Sequence, residues 1–306
     1  MYKHFFGLRA NPFNVNPDPR YLSLTRHTRE ALTSLAYGIL NRKGFILLTG
    51  EVGTGKTTLL NQVLDLLSGK RVASAFLFNS RLNVTQLFDL MMADFGIACE
   101  SGLKSQVLLR LHRWLVERYR AGENTVLIVD EAQNLSLTVL EEIRLLTNLE
   151  TPTTKLLQIV LSGQPELEEK LKQPQLRQLR QRITLHCKLY PLDLKETGSY
   201  IAQRLRIAGA NGQPIFTPEA VERTYAYSLG IPRVINLLCE HTLISAFVDN
   251  QRTVSASKVE EVARELELDQ IRPIAPSPPE GNVESLNPTK APRNLADLVE
   301  RLRRPD

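Results

Sequence analysis

A chain of 306 residues, 42% hydrophobic and 23% charged, has enough apolar material for two domain cores, which excludes a disordered chain. The formal net charge of +5 permits contact with nucleic acid or an anionic membrane and requires neither. Three widely spaced cysteines, Cys99, Cys187 and Cys239, exclude a disulfide framework and a zinc knuckle and fit a reducing cytoplasm.

The start, Met1-Tyr2-Lys3-His4-Phe5-Phe6, has no long apolar stretch, and no later run approaches the roughly 18 residues of a spanning helix. A cytoplasmic protein with no integral membrane segment is therefore expected. Up to about Ser23 the chain is rich in Asn, Pro and Asp and carries Phe5, Phe6, Phe13 and Tyr21. This reads as an irregular segment pinned by aromatics, expected to lie over the domain that follows. Ala31, Leu32, Leu35, Ala36, Ile39 and Leu40 then keep one face of a helix that ends near Asn41 to Gly44. Residues 1–42 are thus taken as an N-terminal segment and helix packing on the next domain.

Phe45-Ile46-Leu47-Leu48-Thr49 is an apolar run without charge, the pattern of a buried parallel strand, and Leu59, Leu60, Val63, Leu64 and Leu67 resume at helical spacing. Between them stands Gly50-Glu51-Val52-Gly53-Thr54-Gly55-Lys56-Thr57, followed by Thr58. The spacing fits G-x-x-x-x-G-K-[ST], in which loop amides and a helix N-terminus surround a β-phosphate, Lys56 reaches the β and γ oxygens, and the Thr57 hydroxyl ligates Mg²⁺. A second strand, Val72 to Phe78, ends on Asn79, and two amphipathic helices follow at about 84–95 and 106–119. Trp114 in the latter reads as a core anchor.

Thr125-Val126-Leu127-Ile128-Val129-Asp130-Glu131 is a strand apolar on both faces that delivers two carboxylates to its C-terminal edge. Asp130 suits Mg²⁺ coordination beside Thr57, and Glu131 suits polarising an attacking water. A helix begins near Ser136. Lys155 to Leu161 supplies another strand, and Gln164, just beyond it with Ser162 behind, is placed to sense a γ-phosphate, although Gly163 and Pro165 also fit plain turn chemistry. The basic helical stretch Leu176 to Arg182 precedes a strand, Ile183 to Leu189. Arginine carries the fixed, permanently charged fork that stabilises a transferring phosphoryl group, so Arg182, with Arg180 as second choice, is the candidate finger for a neighbouring subunit.

After Pro191 the regular structure is helical: about 194–208, 218–229, 232–248 and 255–268, with Asp193, Thr217 and Ser255 as caps. Arg233 opens the third of these, where a cation opposes the helix dipole, and it is free to reach toward nucleotide across a cleft. From Arg272 to Pro292 the proline-rich composition cannot bury enough surface to fold, and residues 294–302 could form a short terminal helix. The boundaries expected are 1–42, 43–192 for the nucleotide domain, 193–268 for the helical lid and 269–306 for the tail.

These motifs together resemble the AAA+ ATPases of the ExeA/GspA type, named for general secretion and related to the TniB/TnsC transposition ATPases. The resemblance spans about residues 1 to 268 and rests on Phe5-Phe6-Gly7-Leu8 with Asn11-Pro12-Phe13, the Gly50 to Thr57 loop, and Asp130-Glu131-Ala132-Gln133-Asn134-Leu135. Leu140 to Glu150, Ser162-Gly163-Gln164-Pro165-Glu166-Leu167, Leu179-Arg180-Gln181-Arg182-Ile183 and Gly230-Ile231-Pro232-Arg233 complete it. It implies an α/β P-loop fold with a parallel sheet of order 5-1-4-3-2, a helical lid, ATP with Mg²⁺ bound between subunits of a ring or filament, and Arg233 as a second sensor. By the same resemblance Asn79 holds Glu131 away from water until a partner is bound.

Three functions are consistent with these residues. The first is an ATP-hydrolysing motor or switch acting on a protein assembly of the secretion or envelope machinery. The second is a transposition-type or DNA-loading ATPase in which Arg177, Arg180, Arg204 and Arg206 contact the DNA backbone. The third is a nucleotide-gated adaptor that hardly turns over.

Overall fold

The computed structural model describes residues 1–268 apart from positions 15, 17, 79–80, 99–102, 211 and 213. Asn79 and the proline-rich tail with its expected terminal helix therefore lie outside the described residues. The chain divides into two compact units, Arg26–Tyr190 and a second made of Met1–Thr25 with the chain from Pro191 onward. The helices are α1 (Tyr2–Phe5), α2 (Arg26–Leu40), α3 (Lys56–Leu67), α4 (Val84–Asp94), α5 (Lys104–Arg120), α6 (Leu137–Leu146), α7 (Pro165–Leu171) and α8 (Arg177–Arg182). After them come α9 (Leu194–Ile207), α10 (Pro218–Ser228), α11 (Pro232–Val248) and α12 (Ala256–Glu265).

The Arg26–Tyr190 unit is a parallel sheet of β1 (Phe45–Gly50), β2 (Val72–Leu77), β3 (Asn124–Val129), β4 (Gln158–Gly163) and β5 (Ile183–Leu189), in the order β2-β3-β4-β1-β5. This is the 5-1-4-3-2 order read from the other edge. Every residue of β1 and β4 is buried, which is why both read as continuous apolar runs rather than alternating ones. On one face Leu47, Leu127 and Leu161 pack with Leu87, Met91, Leu111, Leu140 and Ile143 of the covering helices. On the other, α2 lies against β5 and β1 through Leu32, Leu35, Ala36 and Ile39, all essentially without solvent contact. Trp114 packs on this core 5.0 Å from the Phe95 ring, as an anchor. Since the register pairs Leu47 with Leu161 and Ile159 with Leu127, the C-terminal ends of β1, β4 and β3 emerge side by side at one edge.

The second unit corrects the placement of the N-terminal segment. Leu8 and Phe13 belong to the same apolar core as Tyr200, Ile201, Leu238 and Val259, so residues 1–25 are part of the helical unit rather than a cover on the sheet. The Tyr2 hydroxyl and the Asn11 amide both donate to the Glu240 carboxylate, and the Arg9 and Ala10 amides donate to the Ala208 carbonyl. Aromatics signalled burial of this segment without signalling against what. Arg204 is likewise not a surface cation: it is 5% exposed and lies between the rings of Tyr21 and Tyr200, at 4.7 and 5.2 Å. The helices of the unit are capped as their sequences predict, with Asp193, Thr217 and Ser255 accepting from the Glu196, Ala220 and Lys258 amides.

Gly230, just before α11, has φ +73, and a Cβ there would lie 1.8 Å from the Leu192 carbonyl oxygen. The Leu192 amide donates to the Gly230 carbonyl at 2.8 Å, so the segment leading into α9 runs against this glycine. Gly230→Ala combines a left-handed backbone with a backbone clash and should cost about 2 kcal/mol or more in denaturant unfolding of the chain. An unchanged unfolding midpoint would contradict this packing.

Candidate active site

The loop that joins β1 to α3 is shaped by its glycines. Gly53 and Gly55 have φ of +80 and +95, the left-handed region that side-chain-bearing residues avoid. Gly55 is the N-cap of α3 and no side chain caps that helix, so its first amide N–H groups face the loop. Such a terminus attracts anions through its N–H groups and its dipole. Lys56 folds back so that its ammonium donates to the Gly50 and Glu51 carbonyls at 2.8 and 3.0 Å. The side chain is 6% exposed. Burial pulls its pKa below the usual lysine value, while the nearby charges of Glu131, Asp130, Glu51 and Glu166 work in the opposite direction. A cation held mostly out of water and satisfied only by carbonyls is ready to exchange them for phosphate oxygens. Thr54 braces the turn by donating to the Glu51 carbonyl at 2.8 Å, Thr58 lies in the first turn of α3, and Val52 is half-exposed.

Asp130 is the meeting point of three segments. The Thr57 hydroxyl donates to Oδ2 at 2.6 Å, the Ser162 hydroxyl to Oδ1 at 2.7 Å, and the Glu131 amide to Oδ1 at 3.0 Å. With 3% exposure, this carboxylate is held in one orientation with both oxygens partnered. Thr57 and Asp130 thus present two hard oxygen donors at one point beside a phosphate cradle, a donor set that fits Mg²⁺ with the remaining ligands drawn from water and phosphate. Among the described residues, no three His, Cys, Asp or Glu side chains form a metal cluster elsewhere.

Glu131 follows in a left-handed conformation, φ 53 and ψ 35, unusual for glutamate. Its Oε2 accepts from the Gln133 side-chain amide at 2.5 Å and from the Gln164 side-chain amide at 3.1 Å. Gln164 is the N-cap of α7, placed there by Pro165 at the first helical position. The structure therefore brings Lys56, Thr57, Asp130, Glu131, Ser162 and Gln164 to one edge of the sheet. It adds Gln133, which sequence reasoning passed over: the residue stands inside a recognisable motif, but nothing in its spacing says that its side chain turns back onto Glu131.

The arginines separate into two kinds. Arg182 does not project as a free finger: its Nη1 donates to the Arg144 carbonyl at 3.2 Å, to the Thr147 hydroxyl and to the Asn148 side chain at 3.0 Å. A cation at the C-terminal end of α6 is favoured by the helix dipole and by its unpaired carbonyls, which accounts for the capture. Arg180 is exposed and, among the described residues, forms no ion pair. Arg233 is exposed at the second residue of α11 in the helical unit.

The AAA domain family matches residues 39–171, the stretch that holds the cradle, both carboxylates and Gln164. General secretion pathway protein A of Aeromonas hydrophila is 46% identical over 248 residues, covering 81% of this chain and 45% of that protein, so the chain spans about half the length of this relative. Among solved structures, the Aeropyrum pernix ORC2 protein shares the fold with a TM-score of 0.62 at 17% identity, covering 86% of this chain and 74% of that one. Drosophila ORC bound to DNA gives a TM-score of 0.61 at 18% identity, covering 87% and 66%.

The captured guanidinium and the free one should behave differently. Arg182→Ala removes a group that satisfies the end of α6 and should destabilise the chain by about 1–2 kcal/mol in equilibrium unfolding. Arg180→Ala should leave the unfolding midpoint unchanged within about 0.5 kcal/mol. Equal effects of the two substitutions would contradict the distinction.

Proposed function

We propose, from the premise that this chain is an AAA+ P-loop protein related to general secretion pathway protein A, that it binds ATP with Mg²⁺ and hydrolyses it to drive or switch a partner assembly. The observation that carries the reading is the Thr57–Asp130 hydrogen bond, which joins the phosphate loop to the carboxylate strand with Glu131 as the next residue. The amides from Gly50 to Thr58 and the Lys56 ammonium would hold the phosphates, and Thr57 and Asp130 would hold the metal. Bound Mg²⁺ would supply neutralisation of charge on the phosphate oxygens. Glu131 orients a water and takes its proton as the water oxygen bonds to the γ-phosphorus and the bond to the bridging oxygen breaks. Gln164 reads the γ-phosphate, and the family resemblance assigns the second-sensor role to Arg233 and the restraint of Glu131 to Asn79, which lies outside the described residues.

The site is completed by a second copy of the chain in a ring or filament. The finger from that copy is Arg180, the exposed arginine of α8, with Arg182 as the strut that fixes α8 against α6. The name of the Aeromonas relative supports a role in secretion machinery, and a place on the cytoplasmic side of the envelope is part of this proposal. No helix among the described residues is long and apolar enough to cross a membrane.

A DNA-loading role is the second reading. Arg177, Arg180 and Arg206 are exposed and could meet a phosphate backbone, whereas buried Arg204 could not. The fold is also that of Drosophila ORC bound to DNA. ATPase stimulation by duplex DNA with a steep salt dependence would favour this reading, and no response to DNA would leave the protein-assembly reading in place.

Glu131→Gln should lower ATP turnover about 100-fold or more while retaining ATP binding, measured by phosphate release and by titration with a fluorescent nucleotide. Unchanged turnover would show that Glu131 has no catalytic role. Lys56→Ala should lose nucleotide binding, and tight ATP binding by that variant would overturn the cradle. Mixing Arg180→Ala with Lys56→Ala protein should restore activity through mixed interfaces. No rescue at any ratio would count against a finger supplied in trans.

A further inference from the structure

We infer that Gln133 is a positioning residue for hydrolysis, the group that keeps the Glu131 carboxylate aligned while Gln164 is engaged elsewhere; this rests on the hydrolytic reading above. One amide side chain does two things at once. Its Nε2 donates to Glu131 Oε2 at 2.5 Å, and its Oε1 accepts from the Gln164 backbone amide at 3.2 Å. The orientation of the amide is dictated by chemistry: a backbone N–H demands the oxygen on one side, and a carboxylate demands the nitrogen on the other. Only a side chain with both a donor and an acceptor serves both partners, and it does so without changing charge.

The base from which Gln133 reaches is rigid. It lies in the short turn Ala132–Asn134, between Ala132 and Leu135, which are both fully buried. The Lys170 ammonium of α7 donates to the Gln133 and Leu135 carbonyls, each at 2.6 Å. The turn is thus tied to the same helix whose N-cap is Gln164. Gln164 is the other donor to Glu131 Oε2, at 3.1 Å. If the Gln164 amide turns to a phosphoryl oxygen, as proposed above, Glu131 loses that donor. Gln133 then remains as the one side chain, of those seen to hold the carboxylate, that still fixes its direction. A general base a fraction of an ångström out of line loses much of its advantage, because rate depends steeply on the alignment of the reacting atoms.

The test is Gln133→Met, which keeps the length of the side chain and removes both hydrogen bonds, with Gln133→Ala as a second variant and thermal unfolding of each as a check on folding. The expected result is a fall in kcat of about 10- to 100-fold with ATP affinity within about twofold of the parent chain. In the Glu131→Gln background, Gln133→Met should have no further effect on kcat, because it acts through the carboxylate already removed. Wild-type kcat in the folded Gln133→Met chain, a parallel loss of ATP affinity, or an equal fall in kcat in the Glu131→Gln background would each overturn the inference. If the parent chain hydrolyses ATP and Glu131→Gln lowers its turnover, such a failure falls on Gln133 alone. If the parent chain shows no turnover, the hydrolytic reading falls and the positioning role with it.

Discussion

The hydrogen bond from Thr57 to Asp130 is the constraint on which the site depends. It joins residues 73 positions apart, one at the start of α3 and one at the end of β3. Neither neighbours the other in sequence or even in the sheet, because β4 runs between β1 and β3. That intervening strand is what makes the bond possible in its observed form. It spaces β1 from β3 by two strand widths, leaving room for a phosphate loop. It also places Ser162 at its own end, where the hydroxyl fixes the other oxygen of Asp130. A parallel sheet aligns all three strand ends on one edge, so fold and site follow from a single topological fact.

Charge at that edge is arranged in a way that suits an anion's chemistry rather than stability. Lys56 is mostly removed from water, and its ammonium is met by two carbonyls rather than a directly paired carboxylate. Burial of that kind disfavours the charged form and pulls the Lys56 pKa down, and phosphate oxygens would compensate it. Around Glu131 the partners are neutral amides, which direct the carboxylate without cancelling its charge. The cradle is thus polarised across a short distance: a cation and helix N–H groups on one side, acceptors on the other.

Much of this was legible from local sequence. The loop glycines, Lys56 and Thr57 are read in one stretch, and their role needs only the strand before and the helix after. Asp130 and Glu131 are read from the apolar run that precedes them, since a strand buried on both faces must release its polar residues at its end. Less legible were features set by contact between distant segments. Phe13 announced burial, but its partners Phe216, Tyr200 and Leu238 lie some 200 residues away, and only packing decides which core it joins. Arg204 read as a surface cation because its charge is plain in sequence and its two flanking tyrosine rings are not. Arg182 read as a free finger because the carbonyls that capture it belong to the end of another helix. Gln133 was hidden for the same reason: its chemistry is common, and only its direction is special.

The same reasoning gives the resemblance to general secretion pathway protein A its physical content, since the region matched by the AAA domain family is the region that carries the cradle and both carboxylates. A direct test of the metal site proposed at Thr57 and Asp130 is the affinity for ATP, measured calorimetrically with Mg²⁺ and with the metal chelated, in the parent chain and in Asp130→Ala. A common site requires that Mg²⁺ tighten ATP binding in the parent chain and that most of this gain vanish in the variant. An equal gain from Mg²⁺ in both proteins would show that Asp130 does not take part in holding the metal nucleotide.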